Sequence, residues 1–261
     1  MLDVGQGDAI LIRDGTRNLL IDTGKSDAML LKALARQRVY HLDMVVITHL
    51  DDDHCGALSV LDGTIQVDHV CFALGLIEAQ SENATIQAAE KLLRSGAPES
   101  LVKGDMLYLS QHISLLVIWP EDMVSKGANE DSICLCLFYD ADGDSQPEFT
   151  ALFTGDAESM VLDRIIGDVP GEQFDIFKVG HHGSKKAVTP SQIERMAVRI
   201  ALISVGKDNR YGHPSSDTIN TLEAAAVVIY RTDLNGDIVL VFEGQRLVVR
   251  CDTMNGESNS F

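Results

Sequence analysis

The sequence predicts an α/β fold in which two β-sheets pack as a sandwich flanked by helices. Strand-like and helix-like segments alternate over the whole length, with no linker between halves. Several apolar runs stop abruptly at glycine and at polar, chemically capable residues, the place where layered α/β folds bind ligands. The chain's 261 residues, 45% of them apolar, can bury one full core and lie at the upper end for a single domain.

The elements follow in order from short apolar runs bounded by turn residues and from longer stretches with helical spacing. Strands are expected over 9–13 and 18–21, then a helix over 26–38. Met44-Val45-Val46-Ile47 reads as a buried strand, with a helix starting from Gly56. A strand over 67–72 and a helix over 82–95 lead to strands over 113–119, 132–139, 149–154, 174–179 and 199–205. Helices fit 157–166, 190–196 and 215–225, and strands over 227–231, 238–242 and 245–250 close the chain. One domain is thus assigned to 1–251, with a flexible polar tail over 252–261. The acidic tract from Asp140 to Glu148 reads as a long exposed hairpin loop. Its Asp-x-Asp-Gly-Asp spacing resembles a calcium loop only superficially, because the glycine falls too early and no helices flank it.

Composition narrows the function. No run of eighteen apolar residues occurs, so no membrane span is expected, and the N-terminus lacks the basic-then-apolar pattern of a signal peptide. Cys55, Cys71, Cys134, Cys136 and Cys251 are odd in number and scattered without a C-x-x-C pair. This argues against a disulfide framework and a cysteine zinc site, and for a reducing, cytoplasmic location. The net charge of −18 opposes affinity for nucleic acid, which comes largely from lysine and arginine at phosphates.

The densest chemistry lies at His49-Leu50-Asp51-Asp52-Asp53-His54, which puts five potential metal ligands into six residues at the end of a buried strand. Adjacent carboxylates repel one another and prefer water, so a cation is the natural compensation. Imidazole and carboxylate together suit Zn²⁺, Mn²⁺ or Fe²⁺; calcium sites rarely use histidine, and structural zinc sites favour thiolates. Three further apolar runs end alike: 150–154 in Gly155-Asp156, 174–179 in Gly180-His181-His182-Gly183-Ser184, and 200–205 in Gly206 and then Tyr211-Gly212-His213-Pro214. Such strand ends can converge on one site.

Six blocks in order resemble the metallo-β-lactamase-like hydrolases, and within them the soluble domain of the ComEC-type competence proteins and its stand-alone relatives. They are Leu2-Asp-Val-Gly-Gln-Gly-Asp-Ala9, Leu20-Ile-Asp-Thr-Gly24, Thr48-His-Leu-Asp-Asp-Asp-His54, Phe153-Thr-Gly-Asp156, Lys178-Val-Gly-His-His-Gly-Ser184 and Asn209-Arg-Tyr-Gly-His-Pro214. With the stretches at 231–233 and 236–238, the resemblance covers essentially the whole chain. The first block starts so close to residue 1 that the strand expected before it is nearly absent.

The resemblance implies the four-layer αββα sandwich of the metallo-β-lactamase fold, and hydrolysis as the reaction class. It implies that His49 and Asp51 bind one metal, that Asp53 and His54 bind a second, that Asp156 bridges them and that His182 completes the second site. His181 would then face the substrate or share ligation, and the residues alone leave open which histidine of the pair points inward. Two divalent ions about 3.5–4 Å apart can lower a bridging water's pKa and neutralise charge on the attacked group. The wider superfamily has histidine where Asp51 stands and a further histidine where this chain offers only Asn129-Glu-Asp-Ser132; the ComEC-like branch shares both departures. A harder, oxygen-rich shell moves preference from zinc toward manganese or magnesium. The expectation is therefore two divalent metal ions, Zn or Mn, with Mg an option at the weaker position.

Around these ligands, Gln6 and Asp8 lie in a glycine-rich turn that can bring a carboxylate behind the metals, and Asp22, Thr23 and Gly24 are expected to hold the metal loop. Lys178 either pairs with a carboxylate, contacts an anionic substrate or is an exposed edge lysine. Lys185, Lys186, Lys207 and Arg210, with Lys178, could form a small phosphate-steering rim. Ser184, Asn209, Tyr211 and His213 are candidates for substrate contact or proton donation, and His213 has the better claim to general acid. Asp53, His181 and His213 form the expected catalytic set. His41, His69 and His112 have no ligand nearby in sequence and read as surface residues.

The leading expectation is a metal-dependent phosphodiesterase of nuclease type acting on a phosphoester, with single-stranded nucleic acid as one candidate substrate. The alternatives are an acyl hydrolase for lactones or thioesters, or a regulatory module serving a partner protein of a larger system.

Overall fold

The computed structural model describes residues 1–94, 96–169, 173–243, 246–252 and 259–260. Its first sheet runs in the order β1 (Ile10–Asp14), β2 (Arg17–Ile21), β3 (His41–Val46), β4 (Gln66–Ala73) and β5 (Glu99–Leu101). The second contains β6 (Met106–Tyr108), β7 (Ile113–Trp119), β8 (Cys134–Tyr139), β9 (Phe149–Phe153), β10 (Ile176–Lys178), β11 (Ile200–Ile203) and β12 (Val228–Arg231), in sequence order across the sheet. A closing sheet is formed by β13 (Ile238–Glu243), β14 (Arg246–Cys251) and β15 (Asn259–Ser260).

Both main sheets are mixed. β2 to β5 run parallel behind an antiparallel β1, and β9 to β12 run parallel beside the antiparallel β6 to β9. Parallel strands covered on both faces are apolar throughout. In β9 and β11, Ala151, Phe153, Ile200 and Leu202 enter the core between the sheets, while Leu152, Ala201 and Ile203 face the outer helices. Those helices are represented by α1 (Asp27–Arg36), packed into the first core, and by α5 (Ser159–Ile165), α6 (Pro190–Met196) and α7 (Ser216–Ala224), packed into the second. The result is the expected four-layer αββα sandwich.

Local chemistry sets the helix ends. Ser26 and Ser215 accept hydrogen bonds from Met29 and Thr218 backbone N–H groups at the starts of α1 and α7, and Thr189 with Gln192 forms a capping box at α6. The helix expected from Gly56 instead begins earlier, as the short α2 (Asp52–Cys55), and a 3-10 turn at Leu58–Leu61 follows it. Asp52 and Asp53 lie in its first turn, where carboxylates are favoured by the unpaired N–H groups. The helix expected over 82–95 is α4 (Ala84–Leu92), capped by Asn83, and α3 (Leu76–Ala79) precedes it. β5, β6, α3 and α8 (Thr232–Asn235) had no sequence signal, because three or four residues cannot display a period.

Ser95, Gln245 and most of the polar tail, 253–258 and 261, lie outside the described residues; Asn259 and Ser260 pair with Val249 and Val248. The 140–148 tract joins β8 to β9, with Asp140 accepting hydrogen bonds from its own loop's Gly143 and Ser145. All five cysteines are free. Among the described residues no helix is long and apolar enough to cross a membrane.

Candidate metal centre

The segments following β2, β3, β9, β10 and β11 all meet at one edge of the sandwich. Asp22 follows β2 directly and is fully buried. Its carboxylate accepts from Thr48 N at 2.8 Å, from Thr48 Oγ1 at 2.7 Å, and lies 2.7 Å from His54 Nδ1. Thr23 N–H and Oγ1–H both donate to His54 O, at 2.7 and 3.1 Å, so the 22–24 segment is tied to the 48–54 loop.

The turn at residues 5–8 closes the site from the other side. Asp8 N–H donates to Asp53 O at 3.0 Å, and Ser204 Oγ–H donates to Gly7 O at 2.6 Å. A Cβ on Gly7 would meet Asp53 O at 2.0 Å, so only glycine fits this approach.

The inner histidines share one orientation rule. His54 turns Nδ1 to Asp22, His182 turns Nδ1 to Ser204 O at 2.9 Å, and His49 turns Nδ1 to Thr48 Oγ1 at 3.0 Å and Ser132 Oγ at 3.3 Å. Partners on Nδ1 fix the tautomer and free Nε2 for a metal. His54 Nε2 lies 3.1 Å from Asp156 Oδ1, and His182 Nε2 lies 3.6 Å from Asp156 Oδ2 and 3.2 Å from Asp53 Oδ2. His49 Nε2 lies 3.8 Å from Asp51 Oδ2, and the His49 and His54 rings are 4.1 Å apart.

The sequence left the His181-His182 pair unresolved; the backbone separates the two. Both have positive φ, 47° and 53°, a left-handed turn that is strained for residues with a Cβ. A Cβ on Gly180 would meet Ala157 O at 2.1 Å, so the chain enters the turn through a position open only to glycine. His182 is buried and points into the cluster. His181 stays a third exposed, with Nδ1 3.0 Å from Glu158 and Nε2 4.0 Å from Asp156. Its ring centroid is 5.5 Å from that of His213.

Lys178 is neither at the surface nor on a rim. Its ammonium is fully buried against Asp8 Oδ2, donates to Gly155 O at 2.6 Å and lies 3.7 Å from Asp156 Oδ1. This corrects the basic rim: Lys178 compensates carboxylates, and exposed Lys185 pairs with Asp217 at 3.0 Å. Asp8 in turn lies 3.4 Å from His182 Nδ1 and 3.8 Å from His54 Nδ1, the sides of those rings already held by protein. It therefore backs the imidazoles as a counter-anion to Lys178.

The remaining candidates build the mouth. Asn209 accepts from Tyr211 N–H and His213 N–H and donates to His213 O at 2.7 Å, so its side chain shapes the 209–213 loop. Tyr211 is exposed and nearly parallel to His213. Ser184 donates to Glu158 at 2.5 Å and is turned away from solvent. Sequence reasoning missed Glu158, Ser204 and the role of Ser132, whose Oγ joins His49 to Asp156 N at 3.1 Å. No local pattern marks them, since their partners lie more than twenty residues away. His41, His69 and His112 are partly exposed and lie beside Asp68, Glu99 and Asp14, outside this cluster.

The charges are strongly coupled. Burial pushes Asp156, Asp8 and Asp53 upward, but neighbouring cations prevail and hold all three below the usual carboxylate range: His54 and His182 for Asp156, Lys178 for Asp8, His182 for Asp53. Burial dominates for Asp22 and Asp51, which are raised. Burial alone would lower His54 and His182; Asp156 and its neighbours instead raise His54 well above its ordinary value and His182 to about 9. Burial and the charge of His54 push His49 down to about 3. Burial, then His181 and His182, lower His213.

The residues fit a divalent metal. Asp8, His54, Asp156 and His182 offer ligand atoms within 4.8 Å of one another. His49 Nε2, His54 Nε2 and Asp156 Oδ1 are buried with no hydrogen-bond partner among the described residues. Buried polar atoms are ordinarily satisfied, and a group of them sharing one centre is what a cation would satisfy.

The family model described as Metallo-beta-lactamase superfamily matches residues 2–207. ComE operon protein 3 of Bacillus subtilis is 28% identical over 258 residues, covering 91% of this chain and 32% of that protein. Recombination protein 2 of Haemophilus influenzae is 25% identical over 260 residues, covering 95% of this chain and 29% of that protein. The chain thus spans about a third of the length of these curated relatives. Among solved structures, Zn(2+)-bound PqqB from Methylobacterium extorquens superposes with a TM-score of 0.59 at 12% identity, over 87% of this chain and 85% of that one, which establishes the shared fold.

Proposed function

The chain belongs to the metallo-beta-lactamase superfamily, a fold that typically binds divalent metals, and from that premise we propose that it is a metal-dependent phosphodiesterase of nuclease type. The observation that carries the reading is the buried cluster in which Asp8, His54, Asp156 and His182 offer ligand atoms within 4.8 Å of one another, with the Nε2 atoms of His54 and His182 both turned to Asp156. His54, Asp156, His182 and Asp53 would hold one metal, and His49, Asp51 and the shared Asp156 a second, weaker one. An oxygen-rich second position favours manganese or magnesium there, with zinc or manganese at the first. When bound, the metals supply a water of lowered pKa and neutralise charge on the attacked group.

The chain's own residues do the rest. Asp22, Ser204 and Thr48 fix the imidazole tautomers, and Lys178 with Asp8 balances the buried charge behind them. Asp53 is held below the usual carboxylate range by His182 and is partly open to the cleft, so it stays anionic there and can orient an entering water through a hydrogen bond. His181, steadied by Glu158 and beside His213, has Nε2 4.0 Å from Asp156 and is the candidate to meet a leaving-group oxygen.

A second reading, acyl-ester hydrolysis by the same centre, draws on the mouth itself, where Asp51, Asp52, Asp53 and Asp208 outnumber Lys25 and Arg210. Bis(p-nitrophenyl) phosphate and a panel of lactones and thioesters, each with zinc, manganese or magnesium, separate the readings. The expected result is metal-dependent phosphodiester turnover, lost in Asp156→Ala together with bound metal. Turnover of acyl esters alone would select the second reading, and no turnover of either class would refute both.

A further inference from the structure

A cleft of about 780 Å³ opens in front of the centre, lined by Gln6, Lys25, Asp51, Asp53, Arg210 and Tyr211 among others. Its charge is wrong for a row of phosphates. Apart from the proposed metal ligands, Asp52 and Asp208 match Lys25 and Arg210, which leaves no surplus of cations, and Lys25 is engaged with Asp52 at 3.3 Å. What the mouth does offer is an aromatic face. Tyr211 is 61% exposed in a chain with only 5% aromatic residues, most of whose rings serve the core.

The ring is held for display. Asn209 pins the backbone on both sides of it, the ring lies within 13° of parallel to His213 at 6.2 Å, and the Arg210 guanidinium lies 6.0 Å from its centroid. The aromatic steps from Tyr211 to His213 and from His213 to His181 are 6.2 and 5.5 Å, and His181 Nε2 lies 4.0 Å from Asp156. Tyr211 and Asp53 line the same cleft, so a strand end or a short diester can touch both the ring and the centre. An exposed aromatic beside a cation stacks any unpaired base without reading its edge.

We propose that Tyr211 is the platform on which an unpaired nucleobase of the substrate stacks, so that the site takes a strand end or a short diester by base stacking rather than by a series of phosphate contacts. This rests on the phosphodiesterase reading above.

Two measurements test it separately from that reading. Thymidine 5′-(p-nitrophenyl phosphate) and methyl p-nitrophenyl phosphate share a leaving group and differ in the nucleoside. The manganese-loaded chain should prefer the first by about tenfold in kcat/KM, mainly through KM, with the preference lost in Tyr211→Ala and kept in Tyr211→Phe. Binding of a 2-aminopurine-containing oligodeoxynucleotide, followed by its fluorescence, reports stacking without turnover. Tyr211→Ala should weaken Kd about tenfold, while raising salt from about 50 to about 200 mM should weaken wild-type binding only about threefold, the response to one phosphate. Equal binding by wild type and Tyr211→Ala, or a salt effect of a hundredfold or more, overturns the proposal. Tyr211-dependent binding with no hydrolysis of either diester overturns the phosphodiesterase reading and upholds the platform.

Discussion

Lys178→Met removes the one ammonium buried within the carboxylate cluster while keeping most of the methylene stem that fills its channel. The ammonium lies 3.7 Å from Asp156 Oδ1, donates to Gly155 O at 2.6 Å, and contacts Asp8, with both members of that last pair almost wholly buried. At an effective dielectric of about 20, a charge pair at that separation from Asp156 is worth roughly 4 kcal/mol, and a charge-assisted hydrogen bond adds about 1.5–3 kcal/mol. Methionine escapes the several kcal/mol of desolvation that the ammonium suffers, which offsets part of the loss. Removing one partner of a buried pair leaves the other charge uncompensated, and the expected net loss is about 3–5 kcal/mol. Urea unfolding in the presence of a chelator, followed by circular dichroism, measures it as a lower midpoint at unchanged slope. Replacing the partner as well, in Lys178→Met with Asp8→Leu, should recover part of the loss, because the Asp8 charge is no longer orphaned although Asp156 still lacks the ammonium. A loss below about 1 kcal/mol, or a double variant no better than the single one, would refute the counter-ion role.

Asp22→Asn keeps the size of the side chain but weakens its grip on His54 Nδ1, now 2.7 Å away, so metal affinity measured against a chelating dye should fall about 10–100-fold; unchanged affinity would count against the orienting role. His182 stands at about 9 without metal and so carries a proton at pH 7 that ligation must displace. Apparent metal affinity should therefore rise with pH, up to about tenfold per unit for each proton displaced, through the range in which His182 and the likewise raised His54 give up their protons, with proton release visible by calorimetry in buffers of different ionisation enthalpy. The same shift has the opposite consequence for the metal-free fold: stability from this group is full below its unfolded value of about 6.5 and is lost as pH rises through about 9. A flat affinity profile would refute the assignment.

Much of this was legible in the chain. The central strands and the longer helices announced themselves because buried parallel strands are continuously apolar and end at glycine, as at Phe153-Thr154-Gly155 and Val179-Gly180. His49, His54, Asp156 and His182 were visible as pairs of ligand types at those ends, and their meeting follows from strands that run parallel in each sheet. The sequence could not show which way His181 and His182 turn, since that depends on two consecutive positive φ angles that no neighbouring residue type demands. Nor could it place Lys178, because a lysine on a buried strand reads alike whether its tip meets solvent or the distant carboxylate of Asp8. Glu158, Ser132 and Ser204 act only through partners brought near by the sheets, so they had no local mark. The four-residue helix carrying Asp52 and Asp53 was also hidden, being shorter than any helical repeat.

Each imidazole that faces the centre is anchored by a group on its far side, and those anchors divide between the layers: Asp22 and Thr48 extend from the first sheet, Ser204 from the second. The pocket is thus a seam stitched from both slabs. Sliding one slab against the other by even an ångström would pull donors apart, so on the proposed reading a bound cation would tie the two slabs together at this edge. Substances that strip the cations should therefore loosen the whole molecule along this edge first, well before either slab comes undone.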